Sequence, residues 1–219
     1  MLSELEKDLL IEIMNTNIGR AASLLSEMVD QRVILSVPKL DIRKGSEIDF
    51  TSAHPFGENA ESFGTSVLST MQFGRDFSGN AYILFPSDKA RCLIDACTGE
   101  QSGECGEAQG TDVRKMSYED IDVLKEISNV IFNAVLGEFG NLLHVRLEYS
   151  FPEVEIAVLN QGESDFLPED MFFLSMFTSF LLSKSQVRGM IFIALSLNSE
   201  KMLLDKIDEM LVDVDDGTH

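Results

Sequence analysis

The stretch DVLKEISNVIFNAVLGEFGNLLHVRLEYSFP, residues 122–152, decides how this chain is read, because DLLIEIMNTNIGRAASLLSEMVDQRVILSVP, residues 8–38, repeats its polar skeleton. Asp122, Glu126, Asn129 and Pro152 in the later copy have the same mutual spacings as Asp8, Glu12, Asn15 and Pro38 in the earlier one. On an α-helix, positions i, i+4 and i+7 fall within about 60° of one another, so each copy aligns two carboxylates and a carboxamide on one stripe. Apolar residues occupy the other side: Leu10, Ile13, Met14, Ala21, Leu24 and Met28 in the first copy, and Leu124, Ile127, Ile131 and Val135 in the second. Each stripe is therefore expected to face outward from a helix anchored inward.

A single Asp-x3-Glu-x2-Asn would most often be an ordinary solvated helix face. Two copies, with a proline at the same distance in each although the chain has only five prolines, make chance a poor explanation. A di-metal carboxylate site is disfavoured, because such helices carry Glu-x-x-His and here the residue three after each glutamate is asparagine.

Composition narrows the function classes. With 219 residues, 44% of them hydrophobic, the chain can bury a sizeable core as one large domain or two small halves. Its 37 acidic against 17 basic side chains give a net charge of −20, which argues against nucleic acid and disfavours an anionic membrane surface, since both need clustered Lys and Arg. The apolar run from Met171 to Leu182 is too short to span a bilayer and reads as sheet core. Met1 to Asp8 is charged rather than a basic and then apolar leader, so a cytoplasmic location is expected. Cys92, Cys97 and Cys105 lack zinc or redox spacing and read as buried or loop thiols. The three histidines are scattered, and the glycines from Gly99 to Gly110 lack the Gly-Lys-Ser/Thr ending of a phosphate loop. No metal site and no cofactor of the chain's own is expected.

Taken in order, the pattern predicts a helix over 3–30, a short strand over 32–37 closed by Pro38, a mixed segment over 39–62, strands over 66–73 and 79–85, and a helix over 87–97 capped by Ser87 and Asp88. Gly74, Asp76 and Gly79 supply the turn between the paired strands. An exposed linker, 99–116, follows. The second half repeats the order: a helix over 118–136 opened by Ser117 and Asp120, a strand over 145–151 ending at Pro152, an irregular acidic segment, strands within 171–182 and 187–197, and a helix from Ser199. The motif copies are offset by 114 residues and the Ser87 and Ser199 helix starts by 112, which reads as an internal duplication, with repeats over about 1–98 and 117–212. Two helix-strand-strand-strand-helix units predict a pseudo-two-fold α/β (α+β) protein whose mostly antiparallel six-stranded sheet packs against two long motif helices.

The pattern Asp/Ser-x3-Glu-x2-Asn, then 22 residues and a proline, resembles the signature of the CheC, CheX and FliY phosphatases of bacterial chemotaxis, and both copies match at all four positions. A duplicated unit of this size, without room for an added flagellar-switch domain, is most similar to the two-motif CheC type. The resemblance implies hydrolysis of the phosphoaspartate on a CheY-type receiver, which carries its own Mg²⁺ and lysine. It further implies that Asn15 and Asn129 orient the attacking water and that Glu12 and Glu126 pair with the receiver lysine. Asp8 and Asp122 would act near the helix start or at the partner's rim, and Pro38 and Pro152 would shape the ground beside each helix. The alternative it leaves open is a non-catalytic regulator that binds a receiver or CheD. The same fold resembles the middle domain of the switch protein FliM, which lacks the motif.

Overall fold

The computed structural model describes residues 3–28, 30, 32–44, 65–99, 116–158, 171–182 and 185–216. In chain order the elements are α1 (Glu4–Met28), β1 (Ile34–Lys44), β2 (Thr65–Gly74), β3 (Gly79–Pro86), α2 (Ser87–Thr98), α3 (Tyr118–Leu143), β4 (Glu148–Tyr149), β5 (Glu153–Val158), β6 (Phe172–Leu182), β7 (Ser185–Leu195) and α4 (Leu197–Asp216). The protein is α+β, with one antiparallel sheet against which the helices pack, and the two-residue β4 is the seventh strand beside the six expected.

The strand order is β1-β6-β7-β3-β2, with both β4 and β5 paired to β2. The first strand of each half therefore lies in the sheet of the other half: β1 pairs with β6, and β5 pairs with β2. The halves meet at the central β3–β7 pair. Neither half could complete its edge of the sheet alone, because each edge strand comes from the opposite half.

Alternation along the strands makes two apolar layers, as a period of two requires. Val67, Met71 and Phe73 of β2, Ala81, Ile83 and Phe85 of β3, and Ile191, Ile193 and Leu195 of β7 join residues from all four helices in the main core. Leu68, Tyr82, Leu84, Phe173, Met190, Phe192 and Ala194 form a second buried cluster on the opposite face, to which no helix contributes among the described residues. Phe173 thus belongs to the sheet core, as its sequence setting indicated.

Neither proline of the repeated motif directly closes a strand as expected: Pro38 lies within β1, and Pro152 lies between β4 and β5. Pro38 falls where β1 changes register against β6, between Ser36 and Lys39. A proline cannot donate to the ladder, and a bulge removes the need for that donor. In the second half the corresponding segment is interrupted outright: β4 stops at Tyr149, Pro152 is buried, and β5 starts at Glu153. The expected strand over 145–151 is accordingly replaced by a short bridge before the proline and a longer strand after it. Residues 45–64 and 159–170, and nearly all of the expected linker 99–116, lie outside the described residues.

Helix α3 runs seven residues past its expected end at Leu136. Gly137 and Gly140 weaken helix propensity there, but burial of Phe139 and Leu142 outweighs it. Phe139 stacks on Phe77, with ring centroids 5.8 Å apart, and Phe77 in turn stacks on Phe73. The chain then reverses at His144, whose φ of 53° lies in the left-handed region. Val145 donates to the Gly140 carbonyl at 3.0 Å, an approach for which a Cβ at Gly140 would be 3.2 Å from the Val145 oxygen.

Candidate functional site

The two motif helices enter through the same device. At α3, Asp120 N–H donates to the Ser117 hydroxyl while Ser117 N–H donates to the Asp120 carboxylate, a complete capping box. At α1, Glu6 N–H donates to the Ser3 hydroxyl and Ser3 N–H to the Glu6 carboxylate. The Ser3 contacts hold the Glu6 carboxyl below the usual glutamate range. Ser3 and Glu6 precede Ser117 and Asp120 by 114 residues, the motif offset, so Ser-x-x-Glu/Asp extends the repeated signature backward by five residues. The sequence places the start of the first helix at about Ser3, but the Ser-x-x-acid capping spacing was recognised only at Ser117. The expected cap at Ser87 is absent: Pro86 precedes α2 and no side-chain cap is made.

Beyond the caps, the expected stripes appear. Asp8 and Glu12 on α1, and Asp122 and Glu126 on α3, are exposed, and Asn15 and Asn129 are half-buried. Neither asparagine is among the buried residues of the core. The side facing the sheet carries Leu10, Met14, Ile18, Ala21, Ala22 and Leu25 on α1, and Leu124, Ile127, Ser128 and Ile131 on α3. Leu24, read as an anchor, is half exposed, and Leu25 takes its place. Within α3, Ser128 donates its hydroxyl to Ser69 of β2 at 2.7 Å in a fully buried contact, which pins the helix to the sheet at the residue next to Asn129.

The polar surroundings are sparse. Lys125 lies 3.3 Å from Asp122, a pair exposed on both sides and worth about 0.5 kcal/mol at most. No ion pair to Glu12 or Glu126 occurs among the described residues. Asn133, one turn after Asn129, donates its Nδ2 to Asn129 Oδ1 at 3.0 Å, and the sequence reading had not singled it out. Pro38 and Pro152 belong to the sheet layer rather than to the helix stripes. No group of three or more His, Cys, Asp or Glu able to hold a metal ion occurs among the described residues. Cys97 is free, but Cys92 is disulfide-bonded, where the spacing had suggested an unpaired thiol. No helix is long and apolar enough to cross a membrane among the described residues.

At the head of α3, Arg91 of α2 grips Asp120 with both arms of its guanidinium, at 3.0 and 3.1 Å. Burial works against the Asp120 carboxylate, but the Ser117 N–H and the Arg91 guanidinium outweigh it and hold the carboxyl below the usual aspartate range. Asp95, also buried, lies 3.8 Å from the same guanidinium.

What this arrangement can do follows from its parts. On each stripe an exposed glutamate, Glu12 or Glu126, makes no ion pair among the described residues, which suits a cation on another molecule. A carboxamide on a short arm offers one acceptor oxygen and two donor hydrogens, enough to hold a water but not to deprotonate it.

No family model matches the chain. The flagellar motor switch phosphatase FliY of Bacillus subtilis is 22% identical to it over 170 residues, which make up 77% of this chain and 40% of that protein. The chain thus spans about two fifths of that relative's length. Among solved structures, Thermotoga maritima FliY superposes with a TM-score of 0.72 at 15% identity, covering 95% of this chain and 98% of that one. The FliM middle domain from H. pylori superposes at 0.62 with 12% identity, covering 94% and 99%, and the H. pylori FliG–FliM complex at 0.64 with 12% identity, covering 93% and 100%. The resemblance to the CheC, CheX and FliY group is borne out by a FliY relative in sequence and by the FliY fold.

Proposed function

We propose that this chain of the CheC/CheX/FliY type is a phosphatase for the phosphoaspartate of a CheY-type receiver domain, with α1 and α3 each presenting an active stripe. The observation that carries it is the repeated triad: exposed Asp8 and Glu12 with half-buried Asn15 on one helix, and exposed Asp122 and Glu126 with half-buried Asn129 on the other. The likeness in fold to FliM middle domains means that fold alone does not decide for an enzyme. The residues on the stripes are what favours one.

The chemistry is hydrolysis of an acyl phosphate. Water attacks phosphorus, the P–O bond to the aspartyl carboxylate breaks, and the products are the free carboxylate and inorganic phosphate. The receiver supplies Mg²⁺ and a lysine for the charge on the phosphoryl oxygens. What remains is to fix a water in line with the leaving oxygen, and the Asn15 or Asn129 carboxamide does this by orientation rather than as a base. A glutamine plays the equivalent water-positioning part in GTPases. Positioning of this kind supplies a factor on the order of a hundred to a thousand. Glu12 and Glu126, which make no ion pair among the described residues, pair with the receiver lysine and set the docking register. Truncating one side of such a desolvated pair costs about 2 to 5 kcal/mol of binding.

The test follows the decay of a phosphorylated CheY-type receiver with wild-type protein, Asn15→Ala, Asn129→Ala and the double variant. Wild type should accelerate decay, each single variant should keep part of the acceleration, and the double variant should lose it. The reading is falsified if wild type and the double variant leave the decay rate alike. Binding of the receiver without any acceleration would instead favour the regulator that only docks a receiver or CheD. Glu12→Ala and Glu126→Ala should act chiefly on affinity, and unchanged affinity with slower hydrolysis would refute the docking role.

A further inference from the structure

Each motif helix carries in its first turn a large apolar residue left in water. Leu5 on α1 is 64% exposed, and Tyr118, which opens α3, is 93% exposed. Side chains advance by about 100° per residue around a helix, so Leu5 lies within about 80° of Asp8, Glu12 and Asn15, and Tyr118 within about 80° of Asp122, Glu126 and Asn129. Each therefore heads its stripe and stands away from the buried side. Along the helix axis, Leu5 is about 10 Å from Glu12 and Tyr118 about 12 Å from Glu126. A lone exposed apolar side chain is ordinary on any surface. Here one stands in the first turn of both motif helices, on the side that carries the carboxylates, and packing within the chain leaves most of each uncovered.

We propose that Leu5 and Tyr118 are apolar anchors for the receiver that Glu12 and Glu126 engage, each packing on an apolar patch of that receiver about 10 to 12 Å from its lysine. The proposal rests on the phosphatase reading above for the identity of the occupant. A stable interface covers about 800 Å² on each partner, a disc about 30 Å across, and the span from either anchor to its asparagine is about half of that. A receiver seated on the glutamate and the asparagine thus reaches the first turn as well. The glutamate supplies a charge complementary to the lysine, and an apolar contact beside the pair excludes water and strengthens it. Because the anchors meet the receiver away from the phosphoryl group, their effect belongs on affinity and KM and leaves kcat alone.

The experiment uses the full chain and a CheY-type receiver loaded with beryllofluoride, which stands in for the phosphoryl group without turning over. Leu5→Ala/Tyr118→Ala should weaken equilibrium binding about five- to thirtyfold, whereas Leu5→Met/Tyr118→Phe, which keeps the apolar contacts, should bind as wild type does. Val212→Ala, at an exposed apolar residue of α4 away from both stripes, should change nothing. In turnover of the phosphorylated receiver, Tyr118→Ala added to Asn15→Ala, and Leu5→Ala added to Asn129→Ala, should raise KM by a similar factor at unchanged kcat. Raised salt should weaken the contribution of the glutamates and leave that of the anchors in place. Alanine is the best helix former, so these exposed substitutions keep the helices, which circular dichroism checks. Binding by Leu5→Ala/Tyr118→Ala within about twofold of wild type overturns the proposal, as does a change confined to kcat or a loss shared by Val212→Ala. If wild type binds the receiver without accelerating its decay, the phosphatase reading falls, while weaker binding by the double variant still upholds the anchors. If wild type does not bind the receiver, both fall.

Discussion

Replacing Arg91 by methionine should loosen the head of α3, and the structure sets the size of the effect. The guanidinium makes two hydrogen bonds to Asp120, at 3.0 and 3.1 Å, and lies 3.8 Å from Asp95. Arg91 is 27% exposed, Asp120 14% and Asp95 8%. Breaking a fully buried pair typically costs 3 to 5 kcal/mol, and partial exposure of the arginine brings the expectation to about 2 to 3 kcal/mol. Methionine keeps most of the apolar stem, so lost packing contributes little. Asp120→Asn retains an acceptor for the Ser117 N–H while removing the charge, and Asp120→Ala should cost about 1 kcal/mol more than Asp120→Asn because the cap is lost as well. A urea-denaturation double-mutant cycle on Arg91→Met and Asp120→Asn should return a coupling of about 2 kcal/mol. The pH dependence has a definite sign. Because the folded Asp120 carboxyl is held below its unfolded value, the ion pair's contribution is complete above about pH 4 and is lost as the pH falls through the folded value. The Arg91→Met penalty should therefore shrink on going from neutral to strongly acid solution. A penalty under about 0.5 kcal/mol at neutral pH, or one that does not shrink in acid, would refute the clamp.

Three further outcomes follow from the same coordinates. Gly79→Ala should cost at least about 2 to 3 kcal/mol in thermal or urea denaturation, because its Cβ would stand 2.0 Å from the Ala194 carbonyl oxygen across the central strand pair; stability within about 0.5 kcal/mol of wild type would contradict that approach. Ser128→Ala strips the buried Ser69 hydroxyl of the donor at 2.7 Å and should cost about 1 to 2 kcal/mol, with much of that recovered in the Ser69→Ala/Ser128→Ala pair; strict additivity would mean the contact is not coupled. Burial pushes the Cys97 thiol up to about 11, so alkylation of the native protein at pH 8 should be far slower than that of a free thiol, and rapid modification would show the site to be open.

Much of the architecture was legible because one numerical relation, the 114-residue offset, appears twice in the same polar skeleton. It located both long helices and predicted which side of each would face out. The strands around the prolines were harder. Pro38 reads locally as a stop, yet β1 continues to Lys44 because its partner β6, supplied by the other half, tolerates a register shift at that point. Nothing within a few residues of Pro38 announces a partner some 140 residues away. The end of α3 was missed for a related reason: Gly137 and Gly140 argue locally against helix, and the burial of Phe139 against Phe77 that overrides them is a tertiary fact. At the site, Asn133 could have been found from its i+4 spacing to Asn129, and Ser3 from its match to Ser117. Arg91 could not, since its partner lies on another helix 29 residues on.

The copies diverge in their supports and agree in their stripes, and this contrast bears on function. Allowing for the 112-residue offset of the second helix pair, Arg91 and Asp95 stand where the other half has Leu203 and Ile207, both fully buried. One motif helix is thus served by an ionic clamp and the other by apolar packing. Ser128, hydrogen-bonded to the sheet, corresponds to buried Met14, and Asn133 to Gly19. Exposed surface positions usually tolerate substitution within about 0.5 kcal/mol, whereas buried positions resist it. A solvated face with no task would then be the first place for two copies to drift apart. Here several buried contacts have changed chemistry while the exposed Asp, Glu and half-buried Asn coincide residue for residue, as buried Leu10 and Leu124 also do, and the stripe carboxylates make no ion pair except the weak one from Lys125 to Asp122 among the described residues. A common visitor that must be met by the same groups on both helices, as proposed above, would account for that agreement.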